Sequence, residues 1–403
     1  MMRVTARGLA LAFVAAGCYA LGRAIGVTEL LMMASACLVV FVIAAAAMVI
    51  QRGNVRVVRS LDPTYVSVGD EAIVTLSAVN LSNRSSGDLV LVEQAGDVSR
   101  SLPLESIPGG VAAETRYRCH PQRRGRMRIG PALIRRSDIF GLMRRDRQDP
   151  RVDELLVLPR VHRIAPPYRV ASRANSQDRS ARVSSSGDAE FHALRDYVEG
   201  DDLRHVHWAS SARFGTLVVR QHEYFEPTAV TLLLDQRPGS SEDEAEFGVE
   251  VCASVASAAL DDRQRLIIIG SSTPSRRFTA DERLPMLSHL ADVPVQVQGS
   301  LRRALRECRA SAGGGILVVV TPNVSEETLV DIAELSTGFP RVHVVAIGGS
   351  SALSVVRNTL SRRGGESPMS VVVAGDADSL AINWNALATL GSLSADAMAK
   401  ASL

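Results

Sequence analysis

The sequence predicts a multi-domain α+β protein: an N-terminal transmembrane helical hairpin, a β-sandwich, and then a doubly wound α/β domain. Three observations predict this. The apolar residues are front-loaded, with an uncharged run over residues 30–50. From about Val55 to Leu158, apolar and polar residues alternate as in half-buried strands. From Val230 onward, short continuous apolar runs alternate with helical patterns, as in a parallel sheet covered on both faces. The expected segments are 1–52 for the hairpin, 53–163 for the sandwich, 164–224 for a flexible segment with a dense polar motif, and 225–403 for the α/β domain.

The run over residues 30–50 matches the roughly 20 residues needed to cross a bilayer core. The stretch over residues 8–21 is shorter, and reaches spanning length if Arg23 snorkels and Ile25 and Val27 join the buried part. Arg3 and Arg7 precede the pair and Arg52, Arg56 and Arg59 follow it, so the positive-inside rule puts both chain ends in the cytosol of a multi-pass inner-membrane protein. A cleaved signal peptide, or a weak lipoprotein box ending at Cys18, competes with this reading. The apolar character continues past Cys18 into a full span, which favours the hairpin. The five cysteines show no CxxC or CxxH spacing, which favours free thiols in a reducing compartment.

In the sandwich segment the alternation is clearest over residues 64–80, around a turn at Gly69-Asp70. Further turns fall at 106–110 and at Ile129-Gly130-Pro131. Arginines crowd this segment, among them Arg116, Arg118, Arg123, Arg124, Arg126, Arg128, Arg135, Arg136, Arg144, Arg145 and Arg147. They read as the solvated face of strands, or as a surface for anionic lipid beside the inner leaflet. A net charge of +2 and few interleaved aromatics argue against nucleic acid.

Residues 164–187 are rich in Ser and Arg without periodicity, as expected of a flexible segment. The motif follows, with Asp201, Asp202, Arg204, His205, His207, Trp208 and Arg213 close together. Beyond it, residues 217–219 read as a strand, and 230–235, 265–270, 315–320, 342–347 and 370–373 as buried strands. Helical patterns fall at 283–292, 300–310, 326–335 and 378–390, and Ser241 with Glu244 forms a capping box that opens a helix to about Leu260.

The carboxyl ends of such strands form the ligand crevice. Asp235 sits at that edge, where a von Willebrand factor A-type domain carries DxSxS and gives a cation one carboxylate and two hydroxyls. Here the letters are Asp235-Gln236-Arg237-Pro238-Gly239, so the metal motif is degenerate and Asp235 is expected to cap or to pair with a guanidinium. His205 and His207, with Asp201, Asp202 and His222, could supply metal ligands for a hydrolase acting on envelope material. The other reading is a structural or partner-binding cluster, in which Asp201 or Asp202 pairs with Arg204, Arg213 or Arg220 and Trp208 packs against them. No nucleophile–base set and no phosphate loop appear, since Gly313-Gly314-Gly315 precedes a strand and Ser210 and Ser211 lack an elbow frame. No cofactor and no enzymatic activity are expected.

Leu194-Arg195-Asp196-Tyr197, Gly200-Asp201-Asp202, Arg204, His207-Trp208, Ser211-Ala212-Arg213 and Leu217-Val218-Val219-Arg220 together resemble the signature of the bacterial domain of unknown function 58 family. Upstream, Arg123-Arg124-Gly125, Ile129-Gly130-Pro131 and Ser137-Asp138-Ile139-Phe140-Gly141-Leu142 resemble further stretches of that family. The resemblance implies a von Willebrand factor A-like C-terminal domain and a genomic setting beside MoxR-type AAA+ ATPases and transglutaminase-like membrane proteins. It therefore implies a membrane-anchored adaptor or scaffold for such an ATPase, with Arg195, Tyr197, Gly200, Asp201, Asp202, Arg204, His207, Trp208, Ser211, Arg213 and Arg220 as its docking surface or polar core.

Overall fold

Thr5 ends a short N-terminal strand, β1 (Met2–Val4), and its hydroxyl accepts from the Gly8 N–H, so the helix α1 (Ala6–Ile25) starts at once. Gly26, in the left-handed region at φ +79°, stops that helix, and α2 (Thr28–Ile50) returns. Both helices are long and apolar enough to cross a membrane. The computed structural model describes residues 2–50, 54–167, 189–196, 208–224, 229–311, 315–336, 338–363 and 369–390. The chain divides into two compact units, Met1–Leu158 and Pro159–Leu403.

In the first unit, β2 (Val55–Asp62), β4 (Ala72–Asn80) and β7 (Ala112–Cys119) form an antiparallel three-stranded sheet in the order β2-β4-β7. A second sheet joins β1, β9 (Met143–Asp149), β8 (Gly125–Ser137), β10 (Asp153–Leu158) and β3 (Tyr65–Ser67). On it, β5 (Leu89–Ala95) pairs with both β8 and β6 (Val98–Leu104). The first half of β8 pairs with β10 and its second half with β9, the change falling at Gly130-Pro131. Alternate residues of β4, including Val74, Leu76 and Ala78, are fully buried against Leu89, Leu91, Ile129, Ile134, Leu155 and Val157 of the other sheet. Removing such side chains from water contributes about 1.5–3 kcal/mol each.

Not every arginine of this unit lies on a solvated face. Arg116 and Arg118 do, but Arg136 is buried, which lowers its pKa, helped by Arg145 and Arg147. Arg59, which the sequence presents as one of the cations following the hairpin, runs between the sheets to Glu93 and Asp153. Gly130, at φ +105°, makes the passage possible, because a Cβ there would lie 2.8 Å from the Arg59 guanidinium and 2.6 Å from the Arg151 carbonyl oxygen.

The second unit begins with residues that the sequence reading placed at the sandwich–linker boundary. His162 pairs with Glu250 at 3.1 Å, the Ala165 N–H donates to the Asn385 side chain, and Trp384 Nε1 donates to the Ala165 carbonyl. The first described residues of the stretch expected to be flexible are thus held, while 168–188 lie outside the described residues. A hairpin of β11 (Ala189–Asp196) and β12 (Val218–Tyr224) flanks a seven-residue helix, α3 (Trp208–Phe214).

Next comes a six-stranded sheet built from β13 (Val230–Leu234), β14 (Leu266–Gly270), β15 (Arg276–Phe278), β16 (Ile316–Thr321), β17 (Arg341–Ile347) and β18 (Met369–Ala374). Its order is β15-β14-β13-β16-β17-β18, parallel except for β15. The connections contain α4 (Glu242–Asp261), α5 (Arg283–Asp292), α6 (Leu301–Ser311), α7 (Glu326–Leu335) and α8 (Ser350–Arg363), and α9 (Ala377–Leu390) follows the last strand. The capping box of α4 forms as its letters predict, Ser241 with Glu244. Leu233, Ile269, Val319 and Val344 pack with α6, α7 and α8, while Leu234, Val320 and Ile347 approach Gly248 of α4. Both faces of the sheet are therefore covered, and its central strands β14, β13 and β16 are buried throughout.

Candidate functional site

The connection after β13 leads to β14 on one side, and the connection after β16 leads to β17 on the other. That reversal opens a crevice at the carboxyl ends of β13 and β16, the usual ligand position in open α/β sheets. Asp235 and Thr321 stand at the two lips. The cleft there holds about 610 Å³, and its lining includes Arg237, Gly239, Ser240, Glu244, Gln298, Asn323, Ser325, Glu327, Thr328 and Asp331.

Asp235 is fully buried and saturated. Its Oδ1 accepts from Arg237 Nε (2.9 Å) and the Arg237 backbone N–H (3.2 Å). Its Oδ2 accepts from Arg237 Nη2 and from the Thr321 hydroxyl, both at 2.9 Å. The bond to Asp235 raises the Arg237 pKa above the ordinary guanidinium range. Arg237 Nη2 also reaches Thr328 Oγ1 at 3.3 Å, and Asn323 Nδ2 donates to the Arg237 carbonyl at 2.8 Å. The guanidinium is held by Asp235 and Thr328, and its backbone by Asn323.

Gln236, buried behind it, ties the neighbouring loops together. Its side-chain amide donates to the Pro294 carbonyl, and its Oε1 accepts from the Ser272 N–H and the Thr273 hydroxyl. Gly270 leaves the necessary space, since a Cβ there would collide with Gln236 and Thr273.

The cation motif raised by the sequence does not fit these residues. The first hydroxyl position is Arg237, which already neutralises the carboxylate. The second is Gly239, at φ +133°, where a Cβ would lie 2.7 Å from Asn323 Oδ1. Charge and backbone both oppose a DxSxS site. Asp235 is salt-bridged, as its letters suggested. Among the described residues no three His, Cys, Asp or Glu side chains converge to hold a metal.

Of the residues singled out by sequence, Tyr197, Gly200, Asp201, Asp202, Arg204, His205 and His207 lie outside the described residues. Arg195 and Arg220 fall on the β11–β12 hairpin, whose backbone register sets Arg195 opposite Val219 and Leu194 opposite Arg220. Ser211 is buried on α3 and Arg213 is exposed. Trp208, the first residue of α3, is 64% exposed, and Asp201 and Asp202 of the expected polar cluster lie outside the described residues.

The sequence reading missed Gln236, Asn323 and Thr328. Thr328 carried a signal, since Ser325 caps α7 and so fixes the turn that presents it. Gln236 and Asn323 carried none, because their partners come from loops distant in the chain.

Residues 193–348 match a family described as "Protein of unknown function DUF58", a span that takes in most of the β11–β12 hairpin and the cleft from Asp235 to Gly348. A Bacillus subtilis (strain 168) protein, "Uncharacterized protein YeaD", is 26% identical over 253 residues, or 60% of this chain and 61% of the relative. The chain thus matches about three-fifths of that relative's length. Among solved structures, the CARDB domain of the PF1109 protein from Pyrococcus furiosus aligns with 26% of this chain and 93% of that one, at 13% identity and a TM-score of 0.21. A β-galacturonidase from Eisenbergiella tayi aligns with 72% of this chain and 45% of its own, at 10% identity and a TM-score of 0.17. Likenesses this loose carry no argument about function.

Proposed function

We propose that the chain, whose residues 193–348 match the DUF58 family, is a membrane-anchored, non-enzymatic adaptor that docks a partner protein at the carboxyl edge of its parallel sheet. In this reading α1 and α2 span the cytoplasmic membrane with both chain ends in the cytosol. The two packed sheets of the first unit are a β-sandwich, and the second unit is a doubly wound, von Willebrand factor A-like domain with a degenerate metal motif. The partner is a MoxR-type AAA+ ATPase or its client, engaged in protein assembly or maturation at the envelope.

One observation carries the proposal: Arg237 stands where the motif's first hydroxyl would be and is locked to Asp235 and Thr328. A cleft whose central charge is already neutralised is a fixed recognition surface. Thr321 is committed in the same way, since its hydroxyl donates to Asp235 and accepts from the Asn323 N–H. Around this centre the lining carries Glu244 and Glu327, besides Asp331, which pairs with Arg302, so a basic partner segment is the complementary one. Exposed Trp208 supports docking through the motif as well, because a solvated tryptophan is a frequent anchor of interfaces.

The test is a nucleotide-dependent crosslinking pulldown of the full-length protein from its native membrane, with a photo-crosslinker at Ser240 or Glu327. Recovery of an AAA+ ATPase that changes with nucleotide, and is lost on Glu327→Lys, is the expected result. Absence of any ATPase in both nucleotide states overturns the adaptor reading.

A further inference from the structure

The turn between β8 and β9 is built to be rigid. Asp138 is buried, its Oδ1 accepting from the Met143 N–H (2.5 Å) and its Oδ2 from the Phe140 N–H (3.0 Å). The Gly141 N–H closes the turn on the Asp138 carbonyl at 2.9 Å, with Gly141 at φ +67°. What this fixed turn presents is apolar, for Ile139 is 86% exposed and Phe140 is 49% exposed. Two large apolar side chains held side by side at a turn tip mark a contact surface.

The same unit shows what covers them. The Thr5 N–H and hydroxyl donate to the Leu142 carbonyl at 2.9 and 3.1 Å, and the hydroxyl also donates to the Gly141 carbonyl at 2.6 Å. A Cβ on Gly8 would collide with the Leu142 carbonyl, so the first turn of α1 meets the β-turn backbone to backbone. Leu142 and Met143 join an apolar cluster with Ala44 and Met48 of α2, and Leu11 of α1 packs against it. At 1.5 Å rise per residue, Ala44 lies about 9 Å inside the end of α2 and Leu11 about 8 Å inside the start of α1. The turn therefore sits alongside the apolar lengths of the two helices. Cations lie beside it, as anionic headgroups would favour: Arg7 approaches Gly141, and Arg3 lies opposite Arg144 in the β1–β9 ladder.

We propose that this turn inserts Ile139 and Phe140 into the interfacial layer of the bilayer, giving the first unit a third membrane contact besides α1 and α2. The inference rests on the membrane-anchored reading above and takes lipid as the partner. Three points define a plane, whereas a two-helix hairpin alone leaves a domain free to swing. The β1–β9 pairing, which runs straight into α1, makes the connection stiff.

The test uses the full-length protein in vesicles of phosphatidylethanolamine and phosphatidylglycerol carrying doxyl-labelled acyl chains. An environment-sensitive fluorophore is placed by Phe13→Cys, Ile139→Cys, Phe140→Cys or Val98→Cys on a Cys18→Ala/Cys37→Ala background. The other three native cysteines are buried. Phe13 is exposed on α1, and Val98 is exposed at the end of β5–β6 away from the turn. The expected result is quenching at 13, 139 and 140 that is several-fold stronger than at 98. Quenching at 13 with 139 and 140 no different from 98 overturns the inserted turn and leaves the anchor standing. No quenching at 13 overturns the anchor reading, and this inference with it.

Discussion

Arg237 holds Asp235 by both carboxylate oxygens, Nε to Oδ1 and Nη2 to Oδ2, each at 2.9 Å. The two residues are only two apart in sequence, so the clamp is local and forms as soon as β13 ends. Its surroundings make it asymmetric, with the Asp235 side chain fully buried and that of Arg237 28% exposed.

That asymmetry predicts an order of mutational costs. Arg237→Ala leaves a buried carboxylate with hydrogen bonds and no counter-charge, an expected loss of about 3–5 kcal/mol. Asp235→Asn leaves a guanidinium that can turn toward solvent, an expected loss of about 1–2 kcal/mol. Urea unfolding followed by the fluorescence of fully buried Trp384 measures both. The reverse order would mean that Arg237 is not what neutralises Asp235.

Arg59 makes the corresponding bridge in the first unit. Its guanidinium binds Glu93, whose side chain is fully buried, and Asp153, which is half-exposed. Arg59→Met strands the Glu93 charge and is expected to cost about 3–5 kcal/mol, while Arg59→Met/Glu93→Met recovers most of that loss. Both tryptophans lie outside this unit, so the change appears in a far-UV circular dichroism transition that tryptophan fluorescence does not follow. Equal losses in the single and double variants would refute the stranded charge as the cause.

Period and local capping were legible in the chain; charge placement was not. The alternation of residues 72–80 and the apolar runs at 230–234 and 316–321 state which faces are buried, because burial follows side-chain period. Ser241 and Glu244 state a helix start, because their two bonds close within four residues. Arg59 and Arg136, by contrast, look like Arg116 in sequence, and only strands brought from elsewhere decide which of them is buried. The helix α8 (Ser350–Arg363) has no counterpart among the helical patterns read from the sequence. A parallel β17–β18 pair nevertheless demands a crossover there. The Asp138 turn was visible as a motif, but its meeting with Thr5 spans more than 130 residues and has no local signature.

Trp208 separates a docking surface from a structural joint. Its exposure predicts that Trp208→Ala changes stability by no more than about 0.5 kcal/mol. The same variant is expected to lose most of the nucleotide-dependent partner recovery. A large loss of stability in the Trp384-monitored transition would instead make the motif a joint.

His343 sets a pH dependence. It lies inside β17, 5.9 Å from the Trp384 ring, with neither ring nitrogen hydrogen-bonded. Burial, helped by Arg341, lowers its pKa from 6.5 to about 4. Between those two values the unfolded chain carries the proton and the folded chain does not. The unfolded state then binds more protons, so stability rises with pH across that window and is lost as pH falls from about 6.5 to about 4. The full loss is expected to be about 3 kcal/mol. His343→Leu removes both the titration and two unpaired nitrogens, and is expected to flatten the dependence while keeping stability at about pH 7 close to the parent's. Urea midpoints of both proteins at about pH 7 and about pH 5 decide it. If parent and variant weaken in parallel on acidification, the protons are taken up elsewhere, and the buried imidazole is not the group that limits this unit in acid.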